Sequence, residues 1–79
     1  VSTAHFSNLF RKETGMSFLA FLTKKRMDEA VRLLKTTDEK SRVIGEMVGY
    51  PEPNYFSYVF KKNMGVSPAK FRKELATEN

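Results

Sequence analysis

Residues 6–17 of this chain return fifty positions later. Phe6-Ser7-Asn8-Leu9-Phe10-Arg11-Lys12-Glu13-Thr14-Gly15-Met16-Ser17 aligns with Phe56-Ser57-Tyr58-Val59-Phe60-Lys61-Lys62-Asn63-Met64-Gly65-Val66-Ser67, and six of the twelve positions are identical. Leu9/Val59 and Arg11/Lys61 keep their chemistry, and Phe21/Phe71 carry the match further. A pair of phenylalanines four residues apart lies on one face of a helix. The chain is therefore constrained to build the same short basic helix twice. One operation performed at two places suits a long partner with recurring features, and double-stranded DNA has grooves at a fixed interval.

With 79 residues the chain makes one small domain, near the lower size at which a single core suffices. Seven Phe and three Tyr provide bulky apolar surface for that core and argue against disorder. Fourteen Lys and Arg against nine Asp and Glu leave a net charge of +5, which favours a polyanionic partner without naming it. Cysteine is absent, which excludes disulfides and thiolate metal sites. No run approaches the ~18 apolar residues of a membrane span, and no signal-peptide pattern opens the chain. The cytoplasm is the default location.

Periodicity and punctuation predict an all-α chain. Phe6, Leu9 and Phe10 share one helical face, with Ser2 placed to cap that helix and Gly15 placed to end it. Ser17 caps a longer helix to about Lys35, whose stripe comprises Phe18, Phe21, Leu22, Met27, Ala30, Val31, Leu33 and Leu34. A polar loop follows, with Thr37 or Asp38 as the expected cap of a short helix from Ser41 to about Val48, closed by Gly49. A turn over Tyr50 to Glu52 then leads to Pro53, which suits a first helical turn because its missing N–H would have no partner there. Two helices joined by a short glycine-containing turn form a helix-turn-helix, whose second helix enters the major groove.

That pattern sorts the second copy into two faces. Phe56, Val59 and Phe60 face inward, while Asn54, Ser57, Tyr58 and Lys61 face outward. In the first copy Ala4, Ser7, Asn8 and Arg11 occupy the matching outward face. Ala4, Ser7, Asn8, Asn54, Ser57 and Tyr58 are the candidate base-reading residues, since small and polar side chains allow close approach to base edges. Asn pairs bidentately with adenine, which singles out Asn8 and Asn54. Thr3, Arg11, Lys12, Lys61 and Lys62 are candidate phosphate contacts, which position the helix without reading sequence. Lys24-Lys25-Arg26 reads as a solvated helix face rather than a DNA contact, and His5 as a surface or phosphate-proximal residue. A linker helix from Phe18 to Lys35 spans about 27 Å. Parts of the flanking helices bring the two readers to about 34 Å, one turn of B-DNA.

At this point the residues resemble a known family. Phe6-Ser7-x-x-Phe10-Arg11-Lys12-x-x-Gly15-x-Ser17 is similar to the first half of an AraC/XylS-type DNA-binding domain. Ile44-Gly45-Glu46-Met47-Val48-Gly49-Tyr50, Pro53-Asn54-Tyr55-Phe56-Ser57-Tyr58-Val59-Phe60-Lys61-Lys62 and Gly65-Val66-Ser67-Pro68-Ala69-Lys70-Phe71-Arg72 resemble the second half closely. Lys35-Thr36-Thr37 and Glu46 to Tyr50 are most similar to the output domains of YesN-like two-component response regulators.

The resemblance implies a homeodomain-like helical bundle in which a linker helix joins two helix-turn-helix units. It also implies a transcription regulator that binds double-stranded DNA and often recruits RNA polymerase. The expected layout is one AraC-type domain over 1–79: a recognition helix in 1–15, linker helix 17–35, second helix-turn-helix 41–63 and carboxy-terminal helix 67–75.

The departures from the family carry expectations of their own. Members have two more helices before the first recognition helix, so the first unit is incomplete and the chain reads as truncated. Its Phe6, Leu9 and Phe10 face is then partly exposed, which favours self-association. Ser41 and Gly45 replace an aliphatic residue and alanine, and Gly for Ala weakens a helix by about 1 kcal/mol. Tyr58 replaces a common Arg or Lys, which points from guanine toward sugar stacking or a thymine methyl. Arg26 falls at a position where the family often has a structural arginine.

An enzyme does not fit. The sequence has no glycine-rich phosphate loop, no Cys/His pair and no carboxylate pair placed to form a pocket. Cofactor, metal, small-molecule ligand and membrane are accordingly not expected. The competing class is a basic helical module that meets an acidic protein without specific DNA binding.

Overall fold

Five helices follow one another in the computed structural model, which describes residues 3–77: α1 (Thr3–Thr14), α2 (Phe18–Thr36), α3 (Ser41–Met47), α4 (Pro53–Met64) and α5 (Pro68–Thr77). No strand occurs among the described residues, and the architecture is the all-α helix-turn-helix bundle expected from the sequence. Ser2, the expected cap of α1, lies outside the described residues, as do the side chains of Thr3, Ala4 and His5. No helix among the described residues is long and apolar enough to cross a membrane.

The repeat extends into three dimensions. α1 and α4 each run for 12 residues, and Gly15 and Gly65 close them at φ +80° and +88°. In both copies the glycine N–H bonds back at 2.8 Å, to Arg11 O and to Lys61 O. Ser17 then caps α2 by accepting from the Ala20 N–H, and Ser67 serves α5 by accepting from the Lys70 N–H. The aromatic pair recurs as well: Phe10 meets Phe21 edge-on with centroids 5.1 Å apart, and Phe60 meets Phe71 edge-on at 5.6 Å. Such T-shaped pairs match a ring's positive edge to its partner's negative face.

Burial separates the two copies. α2, about 28 Å long, buries Met27, Ala30, Leu33 and Leu34 along its carboxy-terminal half. There it meets α3 and α5, and the core closes with Ile44, Val48, Tyr50, Phe56, Val59 and Phe60. Its amino-terminal half packs on α1 through Phe10–Phe18 and Phe10–Phe21 contacts. The buried core does not extend to that end. Phe6 is consequently 46% exposed and Leu9 47%, whereas Phe56, the counterpart of Phe6, is 1% exposed. Phe18, expected in the α2 stripe, is likewise exposed.

Three local expectations need correction. Neither Thr37 nor Asp38 caps α3: the chain leaves α2 extended, and the cap position falls to Lys40, which makes no side-chain cap bond. Thr37 instead finishes α2, its hydroxyl donating to Leu33 O at 2.7 Å and accepting from the Glu39 N–H. Arg26 is not part of a solvated face. It is half-buried with its guanidinium 5.2 Å from the Tyr50 ring centroid. Gly45 is more than a weak point in α3, because a Cβ there would lie 2.8 Å from Cγ and Cδ2 of Phe56. Only a residue without a side chain lets that ring sit against the α3 backbone.

One further anchor sets the place of α5. The Arg72 guanidinium donates to Thr37 O at 3.0 Å, to Leu34 O at 3.4 Å and to Glu39 O. It thereby satisfies one carbonyl in the last turn of α2, where intrahelical donors run out, and two in the connection that follows.

Phe56→Ala should lower stability by about 3–5 kcal/mol in a urea titration, as expected for a fully enclosed aromatic. For Gly45→Ala we expect a net loss of about 1 kcal/mol in the same titration. Overpacking against Phe56, worth about 1–3 kcal/mol, exceeds the ~1 kcal/mol that alanine adds to a helix. A gain in stability would mean that the ring moves aside freely.

Candidate nucleic-acid interface

α4 is fixed at both ends before any partner arrives. The Glu52 carboxylate accepts from the Tyr55 N–H at 2.7 Å, Pro53 occupies the first turn, and left-handed Gly65 terminates the helix. Sequence patterning does not single out Glu52, because Ser, Thr, Asp and Asn are the usual caps. The turn before it depends on Gly49 at φ +100°, where a Cβ would also lie 3.1 Å from the Arg26 guanidinium. The Tyr50 N–H bonds to Gly45 O at 2.7 Å, tying the turn back to α3.

With Phe56, Val59 and Phe60 buried beneath it, α4 turns Asn54, Ser57, Tyr58, Lys61 and Lys62 to solvent. All five are exposed and adjacent on one side of a single helix. On α1, Asn8, Arg11 and Lys12 are exposed and Ser7 is half-buried. The backbone of Thr3 and Ala4 belongs to α1, and their side chains are outside the described set. The two clusters sit on helices that α2 holds apart, in a molecule 46 Å in its longest dimension.

Charge on α2 itself is largely committed within the chain. Lys24 Nζ lies 3.1 Å from Asp28, and Lys25 Nζ lies 5.5 Å from the Phe21 ring centroid. Arg26 is spent on Tyr50. Further along, a hydrogen bond from Arg32 holds the Glu29 carboxyl below its usual range and raises the guanidinium in turn. Arg11, Lys12 and Lys61 make no such contact with another side chain among the described residues.

An open cleft of about 690 Å³ runs between α4 and the amino-terminal half of α2. Leu19, Thr23 and Arg26 form one wall, and Tyr55, Tyr58 and Lys62 the other. Tyr55, to which sequence patterning assigns no role, is 55% exposed beside Tyr58 at 60%. The signal that could have found it is its i, i+3 spacing from Tyr58 on a helix whose outward face is known. No group of three or more His, Cys, Asp or Glu able to hold a metal occurs among the described residues.

Comparison with known proteins bears on this arrangement. The family profile of the helix-turn-helix domain, of AraC type, matches residues 1–74. The chain belongs to the AraC-type helix-turn-helix family. Among AraC-type relatives, the arabinose operon regulatory protein of Salmonella typhimurium is 40% identical over 72 residues, 91% of this chain and 26% of its own length. The chain thus spans about a quarter of the length of such curated relatives. The carboxy-terminal domain of the response regulator YesN from Fusobacterium nucleatum is 39% identical with a TM-score of 0.89, covering 91% of this chain and 70% of that one. The DNA-binding domain of AdpA, solved in complex with a target DNA, is 29% identical with a TM-score of 0.93, over 100% of this chain and 71% of that one.

If α4 presents the AraC-type reading face, Asn54→Ala should relax preference at one base pair and weaken binding to the preferred site by roughly 1–3 kcal/mol. Lys61→Ala should weaken all duplexes alike. Competition titrations with selected and scrambled duplexes separate the two effects, and reversed outcomes would mean the helix is rotated about its axis.

Proposed function

We propose that this chain is the DNA-binding output domain of a bacterial transcription regulator, of the kind found in YesN-like response regulators. It binds double-stranded DNA sequence-specifically, with α1 and α4 in successive major grooves on one side of the duplex. The observation that carries this reading is the solvent-facing cluster on α4, set over a buried aromatic face and repeated in outline on α1. The AdpA domain, similar over the whole chain, was solved with its target DNA, which supports the same partner here.

Roles follow from chemistry. Asn8 and Asn54 pair with base edges, and Ala4, Ser7, Ser57 and Tyr58 complete the reading faces. Thr3, Arg11, Lys12, Lys61 and Lys62 hold phosphates and set the register. α2 acts as a spacer whose ~28 Å length, extended by the flanking helices, suits one helical turn of B-DNA. RNA polymerase is the second partner in this reading, and the cytoplasm its location. It is a binding module rather than an enzyme, and it uses no cofactor or small-molecule ligand.

Titration with duplex DNA across salt concentrations tests the proposal. Four to six phosphate contacts predict a slope of log affinity against log salt of roughly −4 to −5. Absence of binding to any duplex at low salt would refute it, and a flat response would remove the assigned phosphate contacts.

A further inference from the structure

We infer that Tyr58 reads a thymine methyl group in the major groove, and that Tyr55 is the positioning residue that holds its ring for that contact. The inference rests on α4 being the reading helix and assigns the base class that this part of the helix selects. Tyr58 is 60% exposed on the same side of α4 as Asn54 and Ser57. A side chain of that size at a base-facing position presents mainly an apolar ring. The apolar group that base edges offer in the major groove is the thymine C5 methyl.

The ring is held rather than free. Tyr55, one turn earlier, stacks on it with centroids 6.4 Å apart and planes 27° from parallel. Lys62, one turn later, places its ammonium 6.0 Å from the Tyr58 centroid. Tyr55 is itself braced from below by the buried Tyr50, centroid to centroid 5.8 Å. Tyr50 in turn carries the Arg26 guanidinium over its ring. A continuous line of ring contacts, tilted at Tyr50–Tyr55 and stacked at Tyr55–Tyr58, therefore runs from the core to the exposed face and supports the tyrosine ring before DNA arrives. Preorganisation of this kind lowers the ordering entropy lost on binding. Contact with sugar alone would give Tyr58 no base preference, and this is the alternative the experiment must exclude.

The test begins with duplexes selected from a random pool by the full chain. Each thymine in the preferred site is then replaced by deoxyuridine, which removes the methyl and leaves pairing intact. The inference expects at least one position where wild-type affinity falls about fourfold, the worth of one methyl-sized group leaving water. At that position Tyr58→Ala should bind the thymine and uracil duplexes equally, while Tyr58→Phe keeps the difference. Tyr55→Ala should shrink the ratio between thymine- and uracil-duplex affinities, whereas a merely structural lesion would lower both affinities together and leave the ratio intact. Circular dichroism of each variant verifies that the helices remain.

If the chain binds a selected site but tolerates uracil at every position, the inference is overturned and DNA binding stands. It is equally overturned if the uracil penalty persists unchanged in Tyr58→Ala. Failure to bind any duplex at low salt would instead remove the reading beneath it.

Discussion

The second half of this molecule depends on the seating of Phe56 against the bare backbone of Gly45. That contact sets how closely α4 approaches α3, and closeness sets angle, because interior side chains leave no slack to absorb a shift. With the ring enclosed, Val59 and Phe60 fall into the same core, and Asn54, Ser57 and Lys61 have nowhere to point but outward. A helix-turn-helix is useful only if its second helix leaves the body at a defined inclination. Here that inclination is set by a missing methyl group.

The first half shows what the same sequence does without such a lid. Phe10 and Phe21 reproduce the edge-on geometry of Phe60 and Phe71, and Gly15 and Ser17 reproduce the stop and restart of Gly65 and Ser67. These are local contacts, within a helix or across its neighbouring turn, so they persist. What does not recur is long-range cover, and Phe6 stays half in solvent where Phe56 is enclosed. Local motifs fold the repeat, while distant elements complete it.

That distinction also explains how much is legible from sequence. Helix identity, the Gly15 stop, the Ser17 cap, Pro53 at the start of α4 and the inward set Phe56, Val59 and Phe60 follow from spacing and residue chemistry along a short stretch of chain. The role of Gly45 is not legible, since its value depends on a ring arriving from another helix. By charge pattern alone Arg26 looks like one more cation in a basic run; the family resemblance marks a structural arginine there, but its partner Tyr50 is supplied only by the turn that follows α3. Tyr55 is hidden for the same reason, as its supports come from a residue across the turn and from the next helical turn. Glu52 escapes notice because its cap uses an uncommon residue type. Of the candidate site, the α4 cluster falls on one exposed side as its spacing demands, and Ser7 on α1 does so only in part.

The clasp formed by Arg72 carries a consequence for how rigidly the molecule is jointed. One guanidinium near the end of the chain grips carbonyls at Leu34, Thr37 and Glu39, the stretch where α2 gives way to α3. The elbow between the two halves is therefore held by α5 as well as by the packing of α3 on α2. Loss of α5 would leave every outward side chain of α4 chemically intact, yet it would loosen the joint between the two halves. In the proposed DNA-binding role, discrimination would then weaken through misalignment rather than through any missing touch.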